Sequence, residues 1–488
     1  MFLHNAKKKM LQVADRLFVQ PISPMAQMIQ WTAIRYLYLL LALLVLKGQW
    51  YVGAGSYGID FVFWKEFPAL VGFLAVTLLH AHFEPKQYFV KITVHTLYVL
   101  YFIPLNCAFS LNNCSFGFFL LSSLYFALLI LAVFFLSRFL EDKLNNLRPS
   151  HLSQKKSLSG DKMIALFCLV LCCIFILYKL CYNGLSFSVS MDSEDVYGNR
   201  AEYQSFLDSI SGTFLSYLIT LIRHPINYLA PFYLLVCLLR KRYVGAGISL
   251  LTIFASYAIS ASKSSLLFIP IVLAVWLLYR LKLHRHFNRI FDLGILALLV
   301  LCVSEHLLLK SDRFYTLILR RQMYLPAWLN TMYYEYFMEN GPVWWSQNTF
   351  LLQNLLPDVY DLSPLTIISN EFFQGQVPSP NTGLFAEAVM HAGVLGVLIY
   401  PILLSIMLIL SGKILKHHSA PVQLFLAAKL AINLSNVPIT RTDFVLSYIL
   451  FMAALLLLPF LSPLWTKALA FTAHIREELE AEQREDNS

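Results

Sequence analysis

Long apolar runs alternate with short polar connections along nearly the whole chain, and most runs have the length of a bilayer-spanning helix. A hydrocarbon core of roughly 30 Å needs about 20 mainly apolar residues in helical form. By that measure about twelve spans are expected, at 28–46, 66–82, 88–109, 116–138, 163–180, 226–240, 243–260, 264–281, 293–309, 384–411, 421–437 and 443–463. Five of them fall within 28–180, four within 226–309 and three within 384–463. Most of the remainder lies in two long segments, 181–225 and 310–383. The predicted fold is an all-α polytopic membrane protein with a large loop before the tenth helix. The first segment, 1–27, is basic and then too polar for the apolar stretch of a signal peptide, so it reads as an interfacial amphipathic element. A polar tail, 464–488, closes the chain.

Composition excludes the soluble alternatives. Apolar residues make up 58% of the 488 and charged ones 13%, with a mean hydropathy of +0.62. A soluble protein could not hide that much apolar surface from water. The net charge of +9 suggests nucleic acid at first sight. Its distribution points to the positive-inside rule instead, and no nucleic-acid partner is expected. Lys7, Lys8, Lys9 and Arg16 precede the first span, and Lys143, Arg148, Lys155, Lys156 and Lys162 follow the fourth. Arg240, Lys241 and Arg242 follow the sixth, Arg280, Lys282, Arg285 and Arg289 the eighth, and Lys413 and Lys416 the tenth. With the N-terminus inside, all of these clusters are cytoplasmic. Both long segments then lie outside, and the C-terminus returns to the cytoplasm.

The eight cysteines fit no metal pattern, and there is no phosphate-binding glycine loop, dinucleotide fingerprint or HExxH. No cofactor and no metal are expected. The chemistry-bearing candidates lie on the outer side. Residues 314–350 are dense in aromatics, among them Tyr334, which either anchor helices at the interface or stack on sugar faces. Arg313, Arg320 and Arg321 stand in the same stretch against the positive-inside bias; each is a plain loop charge or a ligand for an anionic substrate. Asp195, Tyr197 and Arg200, within Asp192-Ser-Glu-Asp-Val-Tyr-Gly-Asn-Arg200, form either a solvated loop or a polar cover over a cavity. Lys263, in Ser260-Ala-Ser-Lys-Ser-Ser265, either snorkels or faces a phosphate as a point charge. The tenth span opens at Asn381-Thr-Gly, with Glu387 and His391 one helical turn apart on one face. An acid inside a span is a functional candidate by default. Glu387 is either an acid/base for an acceptor hydroxyl or a partner of an outer Arg that holds a loop in place. Gly393 and Gly396 suit close helix packing. Arg441 sits in a very short outer turn, where Asp443 could pair with it.

The order of these features resembles the bacterial O-antigen (oligosaccharide repeat-unit) polymerases of the Wzy type. The features are an outer Asp195-Val-Tyr-x-x-Arg200 and a Ser-flanked Lys263 between two middle spans. Arg321-Gln-Met-Tyr-Leu-Pro326 with Tyr333-Tyr-Glu-Tyr-Phe337 comes next, then Asn381-x-Gly before Gly393-Val-Leu-Gly396. The resemblance runs over roughly residues 30–460. It implies a GT-C-like glycosyltransferase in a Gram-negative inner membrane, joining undecaprenyl-pyrophosphate-linked oligosaccharides on the periplasmic side, with a chain-length-regulating copolymerase as partner. In that reading Arg200 and Arg321 act in catalysis with Glu387. Lys263, Arg320, Arg313, Arg441, Tyr197, Asp195, Tyr334, Asn381 and His391 would then hold the lipid-linked substrate. Two other readings remain: an O-antigen ligase with a similar donor, and, from a different class, a polysaccharide flippase or transporter. Against the transporter stand the absence of an internal repeat and spans nearly free of charge apart from Arg35, Lys429 and Glu387.

Overall fold

A computed structural model describes residues 23–46, 50–51, 55–56, 59–144, 214–260, 263–350, 352–377, 380–416 and 418–456. They are helical apart from connections and a two-residue ladder, β1 (Trp50–Tyr51) with β2 (Gly55–Ser56). The long helices are α1 (Pro24–Leu46), α2 (Glu66–His82), α3 (Tyr88–Leu111), α4 (Phe116–Leu144), α5 (Phe214–Leu239), α6 (Tyr243–Ser260), α7 (Lys263–Arg280) and α8 (Phe287–Ser304). After them come α9 (Tyr315–Tyr324), α10 (Leu325–Asn340), α11 (Pro364–Phe373), α12 (Phe385–Leu415), α13 (Ala420–Asn436) and α14 (Val445–Leu456). Helices stand where the apolar runs predict spans; the run at 163–180 and the end of the last one lie outside the described residues. Among the described residues five helices are long and apolar enough to cross a membrane: Pro24–Leu46, Tyr88–Leu111, Phe116–Leu140, His284–Leu309 and Phe385–Leu415.

The chain divides into two compact units, Met1–Leu144 with Leu278–Phe444, and Asn145–Leu277 with Val445–Ser488. In the second, α5 and α6 form a hairpin across Lys241, whose positive φ of 57° lets Arg242 N–H reach back to the Cys237 carbonyl at 2.8 Å. Ser249 Oγ donates to the Ala230 carbonyl at 2.6 Å, and Tyr228 packs on Tyr448 and Phe451 of α14.

The first unit gathers its connections at two ends. At one end Asp60 and Val62 donate to the carbonyls of Leu111 and Ser110, and Lys65 Nζ to Asn113 Oδ1. At the other, Tyr88 Oη donates to the His284 carbonyl and Lys413 Nζ to the Leu140 carbonyl. The connections expected outside share the first end, and those expected inside share the second.

Segment 310–383 differs from its expectation as a loop. Its described residues include α9, α10 and α11, and the first two pack into the bundle. Asn330 of α10 accepts a 2.7 Å hydrogen bond from Tyr101 Oη, ten residues before the end of α3, roughly 15 Å along it at 1.5 Å per residue. Tyr315, Tyr324, Trp328, Tyr333, Tyr334 and Phe337 are buried, so most of this aromatic run is core rather than an open sugar-stacking face.

Two charged clusters lie inside the bundle. The ninth span begins at Phe287 rather than 293, which draws Asp292 into the bundle. There Asp292 accepts from Trp31 Nε1 at 2.9 Å and pairs with His95 Nε2 at 2.8 Å, and His95 Nδ1 meets His80 Nε2 at 3.2 Å. Nearer the other end, Arg35 binds Glu66 and Asn106, and Ser110 Oγ donates to Glu66. A buried charge is tolerated when it is paired and its remaining bonding positions are filled, and both clusters approach that condition.

Candidate functional site

Two helix interruptions shape the first end of this unit. Pro104 lacks an N–H and its ring collides with the carbonyl four residues back, so α3 widens to a π-turn over Tyr98–Phe102. The wide turn carries Tyr101. The second interruption breaks α12 at Ala392 (φ −148°) and Gly393 (φ 54°, ψ −132°). A left-handed φ is where glycine costs least. Past the break the chain doubles back so closely that a Cβ on Gly396 would lie 1.9 Å from the Ala388 carbonyl oxygen. The tenth span is therefore a short piece, 385–391, folded against a long one, 394–415. The glycines chosen from sequence for helix packing serve this fold-back.

The short piece needs partners for its first N–H groups. Phe385 N–H donates to Tyr101 Oη at 3.0 Å and Ala386 N–H to Asn330 Oδ1 at 2.8 Å, while Asn330 Nδ2 donates to Pro326 O at 2.5 Å and to Thr382 Oγ1 at 2.9 Å. Caps from two other helices thus fix the approach segment 381–383.

Glu387 and His391 project from the short piece onto the turn between α13 and α14. Glu387 is 1% exposed, and both of its oxygens accept: Oε2 from Ile439 N–H at 2.6 Å, Oε1 from Thr440 N–H at 2.9 Å and Thr440 Oγ1 at 2.8 Å. Since Thr440 spends its hydroxyl proton on Glu387, it accepts from His391 Nε2 at 3.2 Å, which puts the imidazole proton on Nε2. The ring lies parallel to those of Trp345 and Tyr400, which are joined by an indole N–H to phenol bond of 3.0 Å. Phe350 N–H closes the turn from outside on the Thr440 carbonyl at 2.9 Å. Held this way, the next residue, Arg441, extends its guanidinium to Asn381 Oδ1. Beside it, burial pushes the Tyr333 phenol up, with the Arg441 charge acting against the shift, and Tyr333 Oη donates to the Pro380 carbonyl.

The structure thus brings together Asn381, Glu387, His391 and Arg441 of the sequence candidates. The partner of Glu387 is the turn's backbone rather than an Arg; the side chain of Asp443 lies outside the described residues. Arg321 is exposed and Arg320 half-buried, with its Nε buried and without a partner among the described residues. Both precede Gln322, which accepts a 3.4 Å bond from Asn436 at the base of the same turn. Arg313 is exposed at the far end of α9, where its N–H donates to Glu305. Tyr334 is core, stacked on Phe385 with its hydroxyl at Ser115. Lys263 begins α7, but its side chain lies outside the described residues, as do Asp195, Tyr197 and Arg200.

Sequence reading missed Tyr101, Asn330, Tyr400 and Thr440, and took Trp345 only as one of the aromatics of 314–350. Of those missed, only Thr440 left a signal, in the polar Thr440-Arg-Thr-Asp443 between two apolar runs. Among the described residues no group of three or more His, Cys, Asp or Glu is arranged to hold a metal ion. Chemically, the arrangement offers a guanidinium fixed beside an amide oxygen, a group able to pair with an anion. Comparison with protein-family models, with curated proteins and with solved structures finds no match.

Proposed function

We propose that this chain is an integral-membrane glycosyltransferase that polymerises undecaprenyl-pyrophosphate-linked repeat units on the periplasmic side. The observation that carries the reading is the turn at 438–441, fixed by Glu387 so that Arg441 meets Asn381, with Arg320 and Arg321 on the helix beside its base. In the reaction the acceptor hydroxyl oxygen bonds to the donor's anomeric carbon while the bond to pyrophosphate breaks. The lipid pyrophosphate departs with the electron pair, and the hydroxyl proton passes to a base or to water. Charge grows on the leaving phosphate oxygens, where preorganised guanidinium groups stabilise it best. Glu387 acts here as a positioning residue, because its oxygens already take three hydrogen bonds from the turn.

One observation favours a second reading, a flippase or transporter. A discontinuous helix and buried ionisable groups (Asp292, His95, Arg35, Glu66, Lys429) are how transporters build their sites. The glycan pattern of a deletion strain separates these readings. Loss of a polymerase leaves lipid A-core with a single repeat unit. Loss of a ligase leaves bare core and long carrier-linked polymer, and loss of a flippase traps repeat units on the cytoplasmic leaflet. Arg441→Lys, which keeps the charge but not the fork, should reproduce most of the deletion phenotype.

A further inference from the structure

A concavity lies at the opposite end of the bundle from the candidate site. It is a cavity of about 500 Å³ lined by His82, Phe83, Glu84, Lys86, Phe134, Phe135, Ser137 and Arg138, between the end of α2 and the far part of α4. Three aromatics make one wall: Phe83 meets Phe134 edge-on at 4.9 Å, and Phe134 meets Phe135 at 5.3 Å. Cations stand at the rim. The Arg138 guanidinium lies 3.9 Å from the centre of the Phe134 ring. Lys86 and His82 are exposed across from it. Glu84, the one carboxylate among the residues that line the cavity, pairs with Lys91 at 2.5 Å, so the lining itself keeps a positive balance.

Depth identifies what would fill it. Arg138 is 22 residues into α4, roughly 33 Å from its start at Phe116, which is one hydrocarbon thickness. The cation therefore stands at headgroup level. On the same helix Leu120, Leu124, Phe135 and Phe139 are exposed large apolar side chains, a surface for acyl chains leading to the cavity. A cation fixed on a ring, beside an apolar wall that opens sideways to lipid, matches a phosphate joined to hydrocarbon rather than a free anion.

We propose that this cavity binds the phosphate headgroup of an anionic lipid in the leaflet that the basic residues predict to be cytoplasmic. Arg138 and Lys86 take the phosphate oxygens, and Phe83, Phe134 and Phe135 take the glycerol and first methylenes. The test uses the full chain purified in detergent, with native mass spectrometry of bound phosphatidylglycerol against phosphatidylcholine. Wild type should hold phosphatidylglycerol at several-fold higher occupancy, and the Arg138→Gln/Lys86→Gln double variant should lose at least 5-fold. A control carrying Arg285→Gln and Lys416→Gln, at the same end of the bundle, should keep wild-type occupancy. Both altered residues of the test variant are exposed, so folding is not at stake. Equal retention of the two lipids, or wild-type retention by the double variant, overturns the proposal. Displacement of the lipid by millimolar inorganic phosphate makes this a soluble-anion site and overturns it equally.

Discussion

Glu387→Gln separates a carboxylate that holds a turn from one that moves a proton, and the structure sets the size of the effect. With the amide oxygen in the Oε1 place, the bonds from Thr440 N–H and Thr440 Oγ1, at 2.9 and 2.8 Å, survive. The amide NH₂ then faces Ile439 N–H across 2.6 Å, donor against donor. Flipping the amide transfers that conflict to Thr440 N–H. Losing one hydrogen bond to a carboxylate and leaving a buried donor unpaired costs about 2–3 kcal/mol. Removing a buried charge offsets part of this, so a net loss of about 1–2 kcal/mol is expected. Thermal unfolding of purified protein should show a midpoint lower by a few degrees. Thr440→Val, which removes only the hydroxyl, should cost about 1 kcal/mol. Because both changes loosen the turn that carries Arg441, both should shorten the polymer formed in a null strain without abolishing it. An unchanged unfolding midpoint in both variants would refute the holding role. Complete loss of polymer in Glu387→Gln beside normal polymer in Thr440→Val would return Glu387 to the role of base.

Asp292→Ala leaves Trp31 Nε1 and His95 Nε2 buried without partners and should destabilise by about 3–5 kcal/mol. Asp292→Asn should recover much of that, since the amide accepts from the indole and donates to the other His95 tautomer; equal unfolding midpoints for the two variants would contradict this account. Gly396→Ala must reopen the fold-back of α12, because a Cβ there has 1.9 Å to the Ala388 carbonyl, and should lower expression of folded protein sharply. Gly294→Ala meets nothing within 4 Å inside α8 and should instead stabilise by about 0.5–1 kcal/mol, read from the same unfolding curves. Alkaline phosphatase fused near residue 357, in the exposed stretch after α10, should be active, whereas fusions at 150 or 285 should be silent. Activity from the fusion at 285 would reverse the sidedness.

The long apolar runs among the described residues were legible as helices, because about 20 consecutive apolar residues have few other ways to satisfy their backbone within a membrane; the three helices of 310–383 were not. The sequence also sorted the connections of the first unit into two sets, and the structure gathers each set at its own end. Glu387, His391, Asn381 and Arg441 were visible as polar residues where apolar ones are the rule. What those residues pair with depends on how the helices pack. Glu387 and Thr440 are 53 residues apart and Tyr101 and Phe385 are 284 apart, and no local pattern reports such pairings. Nor does hydropathy distinguish a helix that crosses a membrane from one that breaks and folds back. Glycine at 393 permits the break, but it is the fit of Ala388 against Gly396 and the caps from Tyr101 and Asn330 that make it the stable state. The aromatic run at 314–350 was legible as a cluster and not as a core, since burial depends on what the other helices place around it. Asp292 shows the same limit: it sits beside an expected span end, and its function as a buried partner exists only because Trp31 and His95 arrive from two other helices.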